Sequence, residues 1–347
     1  MRNLASVQRI WKIGPIEGAD MIELAQVLGW KLVTKKGEFT QGDLAVYFEI
    51  DSFLPIRPEF EFLRASSYRN TEWQGEGFRI KTIKLRGQVS QGLLVPLETV
   101  ASIAPGYSGP LDEGTDLTEV LGVAKYDPPE VESSTNMGTT KGRFPSFVHK
   151  TDETRVQSIT GIIDEMRGVP YYISTKVDGT SVTMYAKDGA FGVAGRNWEY
   201  KLDDDSRVYE FAKDRGIPEK LLSLGENIAV QGEFAGPGIQ KNPLRLKSTE
   251  WFIFNVFHID RMEYGGLDEL LEMSKLLGVP TVPIEETGEA FPYGSVDELL
   301  ARAEGNYPSG VKKEGIVIRP KTDRYSQAAN GRMSFKVLNN AYLLKNG

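Results

Sequence analysis

The 347-residue chain has no cysteine and only two histidines, His149 and His258. That excludes disulfides, thiol nucleophiles, iron–sulfur clusters and zinc fingers. A metal bound by such a chain rests on carboxylates and water, donors that suit magnesium or manganese. No apolar run approaches the roughly 18 residues of a membrane helix. The N-terminal stretch MRNLASVQRIWKIGPIEGAD has neither an uninterrupted apolar segment nor a small-residue cleavage site, so a cytoplasmic protein with no membrane partner is expected. Positive charge is in the minority. Lys and Arg number 41 against 48 Asp and Glu, a net charge of −7, which argues against a polycation that coats nucleic acid through its bulk field. Nothing in the composition points to an obligate protein partner. It is that of an ordinary globular chain, and the length favours two domains.

Two short stretches run against the acidic total. Residues 79–91, RIKTIKLRGQVSQ, carry Arg79, Lys81, Lys84 and Arg86 with no acid, and residues 236–249, GPGIQKNPLRLKST, carry Lys241, Arg245 and Lys247 with none. Each reads either as a solvated basic strand or loop or as a contact for nucleic-acid phosphates.

The first hundred residues alternate short β-like runs with turns: Leu4 to Trp11, Met21 to Val27, Trp30 to Thr34, Leu44 to Ile50, Phe78 to Leu85 and Gly92 to Pro96. Many short strands with little helix predict a small barrel or sandwich, and an oligonucleotide-binding (OB) type barrel over residues 1–125 fits the size. Residues 126–146, YDPPEVESSTNMGTTKGRFPS, have the composition of a linker. Beyond them, 147–347, strands mix with helices. Helices are expected over Asp204 to Arg215, Leu267 to Leu277 before Gly278, and Val296 to Ala303 behind a Ser295 cap, with strands over Tyr171 to Val177, Ser181 to Ala186, Ile228 to Gly232, Trp251 to Ile259 and Glu314 to Arg319. The expected class is α+β.

Within this half, Ser174-Thr175-Lys176-Val177-Asp178-Gly179 taken alone is an ordinary turn between two strands. Its company changes the reading. Gly232-Glu233 closes one predicted strand and Glu314-Gly315 opens another, so Asp178, Glu233 and Glu314 are three carboxylates able to converge on a hard cation. Carboxylates beside a lysine suit phosphate chemistry. Gly195-Arg196-Asn197 follows the turn, Phe254 offers an aromatic face, and Lys336 comes from the last strand.

In this order the pieces resemble the covalent nucleotidyltransferases: RNA ligases, DNA ligases and capping enzymes. The match spans residues 174–340. It looks most like the Deinococcus-type, Naegleria-like ATP-dependent RNA ligases, which place an OB barrel before the catalytic domain, and Gly42 to Pro55 also resembles that family. Only 11 residues follow Lys336, which leaves no room for the C-terminal barrel of DNA ligases and capping enzymes or the C-terminal helical domain of phage-type RNA ligases.

The resemblance implies an adenylyltransferase domain (ATP-grasp-like) that uses ATP with Mg2+ or Mn2+ and acts on RNA or an RNA-containing duplex in RNA repair. Lys176 would form a covalent lysine-AMP. Asp178, Glu233 and Glu314 would hold the metal, with Glu233 also able to meet the ribose. Phe254 would stack on adenine, Arg196 would contact ribose or the 5′-phosphate, and Lys336 would steady the α-phosphate. The family's second terminal lysine is missing here, because Lys336-Val337-Leu338 offers one, so Lys312, Lys313 or Arg319 is expected to substitute. Thr175 and Lys150 are further expected ATP contacts, Arg155 shares the Lys150 segment, and the two basic stretches become candidate RNA contacts. The alternatives are a DNA ligase, an RNA guanylyltransferase, or a nucleic-acid binding protein that has lost activity.

Overall fold

A computed structural model describes residues 3–128 and 137–346. They form two compact units, one of residues 3–128 with 343–346 and one of residues 137–342.

In the first unit a five-stranded sheet runs in the order Leu93–Pro96, Leu44–Phe48, Ala5–Pro15, Ile22–Val27, Trp30–Lys35, and a four-stranded sheet in the order Ala124–Lys125, Ser52–Leu54, Gly75–Arg79, Tyr68–Thr71. Alternation along the strands sends Trp30 and Leu32 inward. There they join Tyr47, Phe48, Phe60 and Phe78 in one core. The buried Tyr47 hydroxyl is satisfied by donating to the Gln91 carbonyl at 2.9 Å.

The strand expected over Phe78 to Leu85 is two strands. Gly75–Arg79 stays in the sheet, and Ile83–Leu85 pairs with Gln88–Ser90 as a separate hairpin. Its turn, Arg86-Gly87, has both residues at positive φ (46° and 82°), the two-residue geometry that matches strand twist. The break divides the basic stretch. Arg79 lies with its guanidinium 4.3 Å over the Tyr126 ring, Lys81 is half-buried, and Lys84 and Arg86 are exposed on the hairpin.

The second unit is two sheets with helices. A seven-stranded sheet runs Thr140–Arg143, Trp198–Tyr200, Ala190–Ala194, Thr180–Lys187, Ile228–Ala235, Glu250–His258, Glu263–Tyr264. A five-stranded sheet runs Thr154–Arg155, Phe335–Leu338, Gly315–Pro320, Tyr171–Lys176, Ile284–Gly288. Helices Arg207–Asp214 and Leu267–Leu277 bury Val208, Phe211, Leu270 and Met273 with Val182, Met184 and Val230 of the larger sheet. Helix Val296–Ala303 buries Leu299 with Ile173, Ile316 and Phe335 of the smaller one. Each fully buried side chain of this size contributes about 1.5–3 kcal/mol. Two helix ends follow the sequence signals: Ser295 accepts from the Glu298 amide and Gly278 stops its helix at φ 70°; the helix expected from Asp204 begins at Arg207, because Ser206 caps it by accepting from the Tyr209 amide.

Part of the expected linker, 129–136, lies outside the described residues. Thr140–Arg143, also within that span, pairs with Trp198–Tyr200. Pairing there uses backbone groups, which a polar, glycine-containing segment supplies as well as an apolar one.

Three strands of the second unit carry an extra residue, Lys141 in Thr140–Arg143 being one; the other two border the site. Gln231 faces Asn255 but Gly232 faces Ile253, which leaves Phe254 as the residue out of step. Ile173 faces Glu286 but Ser174 faces Ile284, which leaves Glu285 likewise. Bulges of this kind re-aim side chains.

Candidate active site

Lys176 ends strand Tyr171–Lys176 and faces Gly315, the first residue of the neighbouring strand. Glu314, just before that strand, therefore stands beside it, and the Lys176 Nζ donates to Glu314 Oε2 at 2.7 Å. The Tyr307 hydroxyl fixes the same two residues through their backbones, donating to the Lys176 carbonyl at 2.8 Å and accepting from the Glu314 amide at 3.1 Å. Two glycines permit the close approach. A Cβ on Gly179 would strike the Phe234 carbonyl, and one on Gly315 would strike the Val337 carbonyl.

The electrostatics follow from crowding. Burial works against the charge of the Lys176 ammonium, but Glu314, Glu233 and Asp178 outweigh it and hold the pKa above the ordinary 10.5. Burial, reinforced by Glu314 and Asp178 against Lys176, pushes Glu233 up to about 8. Burial and Glu314 also raise Asp178, whose Oδ2 accepts from the Tyr342 hydroxyl at 2.9 Å. Lys336 is held down to about 8 by burial and by Lys176 and Arg155 nearby. Arg155 and Lys336 are register partners on adjacent parallel strands. The centre thus combines surplus negative charge around one amine with a second, weakened amine next to it.

Glu233 lies within strand Ile228–Ala235 rather than at its end, because pairing with Ser181 and Phe252 continues through it. Glu314, Glu233 and Asp178 all favour the charge of the lysine amine, and Glu314 is hydrogen-bonded to it. Among the described residues no three His, Asp or Glu side chains are placed to share one metal ion. The donors still fit magnesium or manganese. They are oxygen only, and they carry surplus negative charge. A small hard cation keeps several waters and takes one or two carboxylates with substrate phosphates.

Phe254, aimed by its bulge, packs with Val177, Ala235 and Val282 beside the turn that follows Lys176. Arg196 lies 3.4 Å from Asp152 in a half-exposed pair, and the Lys150 Nζ donates to Asn197 Oδ1 at 2.8 Å. Lys312 is exposed. The loop with Lys241, Arg245 and Lys247 is held in shape: Gln240, Asn242 and Arg245 have positive φ, and the Asn242 side chain bonds both the amide and the carbonyl of Leu246 at 3.0 Å. Gln240 Nε2 ties it to the Gly179 carbonyl at 3.2 Å.

Three expected ATP contacts are committed elsewhere. Arg319 is buried, its guanidinium donating to Glu153 at 2.6 Å, Ser334 at 3.0 Å and the Phe254 carbonyl at 3.3 Å. Thr175 sits on the opposite side of its strand from Lys176, as alternation requires, and its hydroxyl donates to Glu285 at 2.7 Å. Lys313 is buried with its ammonium on both Glu285 oxygens. Tyr307 and Tyr342 carry no sequence signal for the site. Both are polar aromatic residues outside any motif, and their bonds to Lys176 and Asp178 span 131 and 164 residues.

Comparison with known proteins adds to this geometry. An RNA ligase family profile matches residues 169–338 and an OB-fold domain profile matches residues 4–97. A comparison with curated protein sequences found no match. Among solved structures the chain is similar to Naegleria gruberi RNA ligase. An aspartate-to-alanine variant without ligand superposes with TM-score 0.88 at 36% identity, covering 99% of this chain and 98% of that one. A lysine-to-alanine variant with ATP and Mn gives 0.88 and 36%, covering 99% of each. The same ligase with PPi gives 0.87 and 37%, covering 100% and 99%.

Proposed function

The chain belongs to the RNA ligase family and is an ATP-dependent RNA ligase; from that premise we propose that it seals 5′-phosphate/3′-hydroxyl breaks, in nicked duplexes whose 3′-hydroxyl strand is RNA, through AMP carried on Lys176. The observation that carries the reading is the Lys176 amine at a strand end, 2.7 Å from Glu314, with Glu233 and Asp178 acting on its charge and Lys336 close by.

At rest this amine is an ammonium, and freeing an ordinary lysine at pH 7 costs about 4–5 kcal/mol. Asp178, Glu233 and Glu314 are the residues that would hold a divalent cation, each reaching it through water or directly with the nucleotide phosphates completing its shell. When bound, such a cation competes with the ammonium for these carboxylates and neutralises the α-phosphate. Glu314 Oε2 is positioned to take the ammonium proton. The Lys176 Nζ then bonds the α-phosphorus of ATP as the bond to pyrophosphate breaks. Next, a 5′-phosphate oxygen of the broken strand bonds that phosphorus and the lysine leaves, recovering a proton. Finally the 3′-hydroxyl attacks the activated 5′-phosphorus and AMP departs. Each step is a phosphoryl transfer, in which positioning and charge stabilisation do most of the catalysis.

Phe254 stacks on adenine, Lys336 steadies the α-phosphate and Arg196 meets the ribose or the incoming 5′-phosphate. Lys150 and Lys312 contact the triphosphate. Lys241, Arg245 and Lys247, on the loop tied to Gly179, contact RNA phosphates, as do Lys81, Lys84 and Arg86 on the first unit. Arg79, stacked on Tyr126, holds the strand beside them.

The test is incubation with ATP and Mg2+ or Mn2+, then intact-mass spectrometry and peptide mapping. AMP mass on Lys176 is expected. An adduct from GTP instead would turn the reading to capping chemistry, and no adduct with either nucleotide would leave a binding protein.

A further inference from the structure

The two residues that meet in the site, Lys176 and Glu314, are each preceded by a residue whose side chain is bound to one and the same carboxylate. The Thr175 hydroxyl donates to Glu285 Oε1 at 2.7 Å, and the Lys313 ammonium donates to Oε1 and Oε2 at 2.7 and 2.8 Å. Arg302 completes the set, donating from Nη1 to Glu285 Oε2 at 2.7 Å and from Nε to Glu286 Oε2 at 2.9 Å. Glu285 is the residue left out of step between Ile284 and Glu286, so the bulge is what frees it from the ladder. Thr175 also gives its amide to the Pro283 carbonyl at 2.8 Å, which anchors the backbone at the same point.

We infer that Glu285 is a positioning residue for the adenylylation step, holding Lys176 and Glu314 in register through Thr175 and Lys313. Tyr307 fixes the backbones of these two residues from one direction, and a carboxylate that accepts from the side chains of the residues before each of them, and from Arg302, fixes them from another. Lys313 is also kept off the nucleotide side, where another ammonium would compete for Glu314. Burial opposes the Glu285 charge, but Lys313, Thr175 and Arg302 prevail and hold its pKa below the carboxylate norm, so the clamp is ionised at neutral pH. Because Glu285 lies on the far side of the strand from Lys176, it sets geometry at the reacting atoms without touching ATP.

This inference rests on the reading of Lys176 as nucleophile. The experiment is the single-turnover rate of AMP attachment against ATP concentration, with thermal melts, for the full-length wild type, Glu285→Gln, Thr175→Val and the double variant. Glu285→Gln is expected to lower the limiting rate about 10- to 100-fold, since sub-ångström misplacement of reacting groups has effects of that order, with half-saturating ATP within about twofold of wild type. Thr175→Val is expected to lose less, and the double variant to lose no more than Glu285→Gln alone, because the hydroxyl acts through that carboxylate. Limiting rates per folded molecule equal to wild type would overturn the inference, as would a loss confined to half-saturating ATP, or fully additive losses. Should Glu285→Gln not fold, Thr175→Val and Lys313→Met decide the matter on the same two readouts. A wild-type protein that takes up no AMP would instead refute the nucleophile reading, and this inference with it.

Discussion

On one side of the strand that ends at Lys176 stand three carboxylates and two amines, Lys176 and Lys336. Behind it stand carboxylates matched by Lys313 and Arg302. The residue types are the same and the positions are neighbours in the chain, yet the outcomes are opposite. Facing the site, Glu233 and Asp178 are driven towards the protonated form and Lys336 towards the neutral one, chiefly by burial. Behind it, Glu285 and Glu286 are held below the ordinary carboxylate range despite burial, by Lys313, Thr175, Tyr171 and Arg302. A third cluster follows the balanced pattern: burial disfavours the charge of Glu153, but Arg319 and Arg332 prevail and depress its pKa. Balanced clusters hold strands in place. On the function proposed above, nucleotide phosphates and a cation would complete the unbalanced one.

The largest expected break comes from the unbalanced side. Lys176→Ala should lower AMP attachment and strand joining by at least about 1,000-fold, since no other group supplies the nucleophile, while shifting the melting temperature little. Intact mass and a thermal melt check both halves of that statement. On the balanced side the effects should be reversed. Arg319→Met leaves Glu153 buried with a lost partner and is expected to cost about 3–5 kcal/mol of stability, read by denaturant unfolding.

Acid sharpens the same contrast. Glu153, Glu285 and Glu286 have folded pKa values below the ordinary 4.5, so the unfolded chain takes up their protons first as pH falls. Their contribution is complete above about pH 4.5 and is lost as pH drops through the depressed values. Melting temperature measured from pH 7 down to 3 should fall below that point, and the fall should be shallower in Arg319→Met. A smaller effect is expected at Tyr342→Phe. Loss of the hydroxyl bond to Asp178 should slow AMP attachment by about 2- to 10-fold, with the melt unchanged. Smallest in energy but distinct in signature, Lys84→Ala with Arg86→Ala should weaken RNA binding at every sequence and reduce the salt slope by about two. A salt titration of RNA affinity checks it.

Much of this was legible beforehand because it is local. A lysine before Val-Asp-Gly, a glutamate opening an apolar strand, serine caps and a terminal glycine are all read within a few residues, and the structure has Lys176 and Glu314 in contact and the helices Leu267–Leu277 and Val296–Ala303 in place. What escaped was non-local. Arg319 finds Glu153 across 166 residues, so it is a core ion pair and not a phosphate contact. Thr175 differs for a local reason: alternation sends its side chain to the face opposite Lys176, where it meets Glu285. The bulges that free Phe254 and Glu285 leave no trace in periodicity, because an extra residue is defined only against its partner strand.

Those bulges also bear on how far folding and function separate. Because the ladder resumes correctly on both sides of Phe254 and of Glu285, each residue is an addition to its sheet and not a rung of it. A chain shortened by one residue at Phe254 is expected to keep every flanking pair and, on the role proposed above, to lose its adenine platform alone, whereas one shortened at Glu285 would also leave the buried Lys313 ammonium without its carboxylate. The two additions therefore differ in how far each can be discarded: the first is separable from the fold and the second is tied to it.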